Sequence, residues 1–345
     1  MKRKLSIILI MTLLILTSCN KNVTDNNPKN NGEDNKISKL TIKDYFPFTE
    51  NVKYEYSGEG NEFAAYTLYV DFINKNRIQT RENNGGTEVV RVLEYKDGQL
   101  KELFSRGETY FRENFTGTEK NEGEILLKEP LEKGTGWTTG DNIKKTITNV
   151  DVEIKTPSGE YKAMEITSEG QNTKTISYYA KNIGLIKVIN SGEGYEVTST
   201  LSKIKKDAPL VQKLKVFYPD IDADNINSES IDLLFKTNEE TKDVIEKTIK
   251  GLGKDRQILS TNVKINNLRL DNDVVKIDFS KELVTEMNAG SGYESMILQS
   301  ITNTLGIYYG TEKVYITVDG KPYESGHIMM KEGEAFKVNL DNVKE

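Results

Sequence analysis

Between Tyr66 and Leu201 the chain repeats one pattern: short runs rich in aromatic and β-branched residues, separated by tight-turn residues. Tyr66–Ile73 is such a run, and Val89–Tyr95 leads through Lys96-Asp97-Gly98, a hairpin turn signal, into Leu100–Phe104. Asp151–Lys155 alternates apolar and charged residues, breaks at Thr156-Pro157-Ser158-Gly159 and resumes over Tyr161–Thr167. Thr175–Ala180, Gly184–Asn190 and Tyr195–Leu201 complete the series. Short strands at regular spacing with no amphipathic helix between them predict an antiparallel sheet, as in a sandwich, barrel or half-barrel. Trp137, the only tryptophan, follows a Gly-x-Gly turn; we expect it in the core, the alternative being a place on a ligand cleft.

After Lys205-Lys206-Asp207-Ala208-Pro209 the texture changes. Leu214–Tyr218 reads as a strand ending at Pro219. Thr237-x-x-Glu240 has the spacing of a capping box, opening a helix with Val244, Ile245, Thr248, Ile249 and Leu252 on one face. Val263–Leu270 and Val274–Phe279 form a hairpin around Asp271-Asn272-Asp273. Ser291-x-x-Glu294 predicts a second cap, ahead of a helix striped by Tyr293, Ile297, Ile301, Leu305 and Tyr308, and Lys313–Val318 is the last clear strand. The fold class is therefore α+β: an antiparallel β-rich N-terminal domain, half-barrel or sandwich, followed by a small β-α-β-β-α-β two-layer domain.

The N-terminus carries an address. Lys2, Arg3 and Lys4 precede an apolar run, Leu5–Leu16, of signal-peptide length and too short to span a bilayer. Leu16-Thr17-Ser18-Cys19 resembles the bacterial lipobox. That resemblance implies cleavage before Cys19, a diacylglyceryl group on its thiol with acyl chains such as palmitate, and a lipid-anchored protein on the extracytoplasmic face of the cell membrane. The alternatives are an ordinary secretory signal or an N-terminal membrane anchor. Residues 1–18 are then the signal peptide and 19–39 an Asn-rich tether, too polar to fold, with a root-mean-square reach of roughly 25 Å. The β-rich domain occupies 40–206 and the second domain 207–345. Cys19 is the only cysteine, so the body holds together without disulfides. Losing three of 47 basic residues with the signal leaves 44 against 53 acidic ones, a net charge of −9 in place of −6. Such a balance argues against nucleic acid as a partner.

Two stretches carry family resemblances. Tyr45-Phe46-Pro47-Phe48, Leu93–Gly98, Gly134-Thr135-Gly136-Trp137 and Tyr178–Leu185 resemble the β-rich part of some clostridial lipoproteins. Leu214–Pro219, Val275–Ser280, Gly290–Glu294, Ser300–Leu305, Val314–Gly320 and Tyr323–Ile328 look like the GerMN domain family of sporulation and germination lipoproteins, over about Lys213–Met330. This second resemblance implies an assembly role at a membrane, with envelope or spore-associated proteins or further copies of the chain as partners.

Catalytic candidates are few. His327 is the only histidine, which excludes multi-histidine metal sites, and we expect neither a metal nor another cofactor. Ser325-Gly326-His327 is the one motif that places a hydroxyl beside an imidazole; the alternatives are a binding motif and a structural turn in which His327 bonds backbone. Asp220-x-Asp222-x-Asp224 opens like a calcium loop but has Asn225 and Ile231 where the bend and the bidentate ligand are needed, so it reads as an acidic turn. The expectation is a non-catalytic, membrane-anchored binding or assembly lipoprotein. The rival is a carrier that holds a lipid or glycan in its β-rich domain.

Overall fold

The computed structural model describes residues 40–118, 123–140, 142–220 and 225–344. Cys19, the signal, the tether and Asp222 and Asp224 lie outside the described residues. Leu40–Glu345 forms one compact unit.

Its N-terminal half is one antiparallel sheet of twelve strands. In chain order they are β1 Lys53–Glu59, β2 Tyr66–Asn74, β3 Arg77–Asn83, β4 Glu88–Lys96, β5 Gln99–Arg106, β6 Glu124–Lys128, β7 Gly136–Thr138, β8 Lys144–Thr156, β9 Gly159–Glu169, β10 Thr173–Ala180, β11 Gly184–Gly192 and β12 Tyr195–Lys205. The spatial order is β6-β5-β4-β3-β2-β1-β12-β11-β10-β9-β8-β7, which places β6 and β7 at the two ends. Nearly every turn is a local hairpin, as the sequence spacing predicts. Asp97 and Gly98 take the left-handed conformation that a two-residue hairpin turn needs.

Side chains draw the two ends together, so the half-barrel is nearly closed. Trp137 in β7 is buried and donates its indole N–H to the carbonyl of Ile125 in β6 at 3.0 Å. Lys145 in β8 pairs with Glu124 in β6 at 2.6 Å. Trp137 is thus a core residue, and it seals the seam. A short helix, α1 (Ile42–Tyr45), plugs the barrel: Ile42 and Tyr45 are buried with Val70, Ile78, Leu93, Leu100 and Leu127. The backbone N–H of Ile42 donates to Glu129 at 2.9 Å, and the same carboxylate oxygen takes the Tyr95 hydroxyl at 3.1 Å.

The C-terminal half holds two small sheets around one helix. Strands β13 (Leu210–Pro219) and β14 (Ile226–Phe235) pair antiparallel. Helix α2 (Thr241–Lys250) leads to β15 (Ile265–Asp271) and β16 (Val274–Phe279), a hairpin turning at Asn272-Asp273. After the short α3 (Glu282–Thr285) comes α4 (Ser291–Tyr309), then β17 (Lys313–Val318), parallel to β16. Three two-residue strands finish the chain: β18 Lys321–Pro322 and β19 Phe336–Lys337 on β17, and β20 Val343–Lys344 on β14.

Two features depart from the expected order. Strand β14 was not anticipated, because Asn227-Ser228-Glu229-Ser230 has low strand propensity and hides the alternation of Ile231, Leu233 and Phe235. It pairs with β13 in a sheet of its own, so the layer is split in two. Helix α4 is accordingly buried on more than its predicted stripe. The Thr304 hydroxyl accepts the N–H of Phe217 at 3.0 Å, and Asn303 exchanges hydrogen bonds with the backbone of Asn339 at 2.7 and 3.0 Å. A Cβ at Gly306 would lie 2.2 Å from the Val338 side chain, so only glycine permits this approach.

The halves meet on the outer face of β2 and β3. A bulge between Val70 and Phe72 lifts Asp71 out of the ladder. The freed Asp71 carbonyl accepts the N–H of Asn238 at 3.0 Å and the Arg112 guanidinium at 2.8 Å. Thr237 was expected to cap α2; instead its hydroxyl donates to the Val70 carbonyl and accepts the N–H of Asn51, each at 2.8 Å. Docking the halves uses that hydroxyl, and the helix starts later, with Glu240 preceding its first turn.

Candidate functional site

Ser325, Gly326 and His327 sit at the tip of a small loop clamped by a bridge between Glu324 and Met329. The first turn of α4 brings Glu294 beneath it, and Glu294 is buried. Its Oε1 accepts the Ser325 hydroxyl at 2.5 Å and the Tyr323 hydroxyl at 2.8 Å. Its Oε2 lies 2.7 Å from Nδ1 of His327. Two contacts differ from those the sequence predicts. His327 pairs through its ring with a carboxylate, while its own N–H goes to the Ser325 oxygen at 3.1 Å. Glu294 does not cap α4, which is preceded by Gly290.

Burial would raise the Glu294 carboxyl, but the donors Ser325, His327 and Tyr323 outweigh it and hold the group below the usual carboxylate range. Burial, reinforced by the adjacent carboxylate, pushes the Tyr323 phenol up. The result is an ionised carboxylate holding three donors. The Ser325 hydroxyl donates its hydrogen bond to Glu294, so the arrangement lacks the serine–imidazole hydrogen bond that activates a nucleophile. Among the described residues no three or more His, Cys, Asp or Glu side chains gather as metal ligands.

The second candidate lies inside the barrel, and the sequence did not reveal it. The β-register places Glu82, Arg91 and Glu102 on the same face as the core residues Ile78, Leu93 and Leu100. Arg91 pairs with Glu82 at 2.9 Å and with Glu102 at 3.4 Å. Burial raises the Glu102 carboxyl against the pull of Arg91. Tyr56 and Tyr66 stack beside this group with ring centroids 4.3 Å apart. Toward the seam a cavity of about 260 Å³ opens, lined by the Glu124–Lys145 pair, Tyr179, hydroxyls of β9 and β10, and the apolar Leu126, Ile143 and Ile166. Burial and the nearby Glu124 push the Tyr179 phenol up to about 12, so at neutral pH it is a donor. Alternation along the strands encoded these positions, but a polar residue at an inward position reads from sequence as an outward one.

A cavity of about 70 Å³ between Phe46, Tyr54, Leu68 and Leu185 is almost wholly apolar. It has room for a few water molecules, far less than an acyl chain occupies.

The family model described as Germane, sporulation and spore germination, matches residues 215–324. No curated protein matches the chain. Among solved structures, a Clostridium perfringens protein described as a lipoprotein is 19% identical, with 37% of this chain and 87% of that chain covered and a TM-score of 0.24. The tandem GerMN domains of the sporulation protein GerM from Bacillus subtilis are 20% identical, with 38% and 45% covered and a TM-score of 0.26. An exported protein of Bacteroides fragilis with a YmcC-like fold is 12% identical, with 47% and 99% covered and a TM-score of 0.30. The C-terminal half thus carries a Germane domain over residues 215–324, the family its sequence resembles.

Proposed function

We propose that the chain is an extracytoplasmic lipoprotein, anchored through Cys19, whose folded body is a non-catalytic binding and assembly module of sporulation or germination. The observation that carries this reading is the Germane domain behind a lipobox-like N-terminus. The Glu294 cluster supports a non-catalytic body, since its serine, tyrosine and histidine are all committed to one carboxylate. Metabolic labelling with a palmitate analogue is expected to label the wild type and not Cys19→Ser; an unlabelled wild type would remove the lipid anchor from the reading.

The Germane domain also offers a place for assembly. Among the described strands β15 pairs only with β16; Glu246 takes the N–H of Ile265 at 2.7 Å and Glu113 bonds the Leu270 backbone, while Asn266, Asn267 and Arg269 between them are exposed. An open edge accepts a further strand through its backbone, and exposed charge restrains unselective pairing. Sedimentation of the chain over a range of concentrations is expected to show reversible self-association, weakened several-fold by Arg269→Glu, which replaces the cation at the edge with an anion on a chain that is already net negative. A wild-type chain that stays monomeric at every concentration would count against assembly between copies.

A further inference from the structure

The cavity by the barrel seam has a property that the Glu294 cluster lacks: four of its hydroxyls are unspent. The hydroxyls of Ser168, Thr175, Ser177 and Tyr179 line it, and none of the four makes a hydrogen bond to another described residue. Elsewhere the lumen hydroxyl of Tyr56 donates to the Leu185 carbonyl at 2.7 Å, and Thr148 donates to Glu165 at 2.6 Å. All four side chains are half-buried and open to the cavity, so they are free to bond what enters it. Four such groups along one cavity wall make no side-chain hydrogen bond that holds the sheet together.

The remaining chemistry narrows what they would meet. Lys145 and Glu124 neutralise each other at 2.6 Å, so the cavity presents no net charge to attract a phosphate or an ammonium. Leu126, Ile143, Ile166 and the ring of Tyr179 give it an apolar side. Hydroxyls both donate and accept, which suits a ligand whose own groups do the same. At about 260 Å³ the space is slightly smaller than the pockets that hold drug-sized molecules, and it suits a single ring.

We propose that this chamber binds one ring of a neutral, hydroxyl-rich sugar, with Ser168, Thr175, Ser177 and Tyr179 bonding its hydroxyls and Leu126, Ile143 and Ile166 facing its C–H surface. The ring is either a free monosaccharide or the end of a glycan chain. The site is separate from the Germane domain and works whether or not that domain assembles.

The test uses the full-length chain and a panel of glucose, galactose, N-acetylglucosamine and their β-linked disaccharides, with glucuronate and inorganic phosphate as charged probes. Saturation-transfer NMR and calorimetry read binding. At least one neutral sugar is expected to bind, and glucuronate and phosphate are expected not to. A disaccharide that binds tighter than its monosaccharide identifies a chain end; equal affinity identifies a free sugar. Tyr179→Phe and the pair Thr175→Val with Ser177→Ala remove hydroxyls that have no internal partner, so thermal stability should stay near wild type. Each is expected to weaken sugar binding about tenfold, the loss of one or two good hydrogen bonds. The proposal is overturned if no neutral sugar binds, if charged probes bind more tightly, or if both variants bind sugar as well as the wild type.

Discussion

Asp71→Ala is expected to lower the stability of the folded body by about 3–5 kcal/mol, the usual cost of removing one partner from a buried ionic network. Asp71, Arg81 and Arg112 are almost wholly inaccessible to solvent. Asp71 accepts the Arg81 guanidinium at 3.1 Å, and Arg112 Nε lies 3.8 Å from its other oxygen. Arg81 also reaches Glu88 at 2.8 Å and the carbonyls of Thr109 and Phe111 at 2.5 and 2.9 Å. Arg112 stacks between the rings of Phe72 and Phe235, with centroids at 4.0 and 4.8 Å, and donates to the carbonyls of Asp71, Lys236 and Glu239. Burial lowers the Arg112 guanidinium pKa, and Asp71 opposes that shift. Without the carboxylate, two guanidiniums remain buried among carbonyls and rings with only Glu88 to balance them. These contacts join the sheet to the C-terminal half, so the variant should also unfold less cooperatively. Urea denaturation followed separately by Trp137 fluorescence, which reports the seam, and by far-ultraviolet circular dichroism should give one coincident transition for the wild type and two displaced ones for Asp71→Ala. A stability within about 1 kcal/mol of wild type would show that this network is replaceable.

The same region shows where the sequence was legible and where it was not. Eight of the twelve barrel strands follow from alternation and turn residues, because hairpins are local and their signals lie within a few residues of the strand they end. The strand Arg77-Ile78-Gln79-Thr80-Arg81 alternates as well, and its polar positions read as a solvent face. In the structure all three bind the segment between β5 and β6. Arg77 takes the carbonyls of Thr116 and Thr118, Gln79 bonds both Glu113 and Phe115, and Arg81 takes Thr109 and Phe111. Period two gives the face and leaves open what covers it; the cover lies about thirty residues on and is itself irregular. The candidate sites divide likewise. Ser325-Gly326-His327 is contiguous and visible, whereas the Glu294 that organises it comes from the start of a helix that sequence spacing explained as a cap. The barrel cavity draws on β6, β8, β9 and β10, and no local pattern joins those strands.

Glu294→Ala is expected to cost about 2–3 kcal/mol at neutral pH, because it strands the buried Tyr323 hydroxyl and frees the Ser325 and His327 side chains that hold the loop on α4. Its pH dependence has a definite sign. The donors hold the folded-state carboxyl below the ordinary value of 4.5, so the folded state favours the ionised form more than the unfolded chain does. The resulting stability is complete above 4.5 and is lost as pH falls through the lower, folded-state value. Glu294→Gln keeps the shape and one acceptor but has no proton to gain. The difference in unfolding free energy between wild type and Glu294→Gln should therefore be largest at neutral pH and shrink steadily in acid. Other depressed carboxyls, such as Glu246 with Lys250 and Asp278 with Thr317, are common to both proteins and cancel in that difference. Urea titrations of the pair from neutral pH downward measure it. A gap that stays constant into acid would mean that Glu294 is held by shape alone, with its charge contributing nothing to the loop that presents His327.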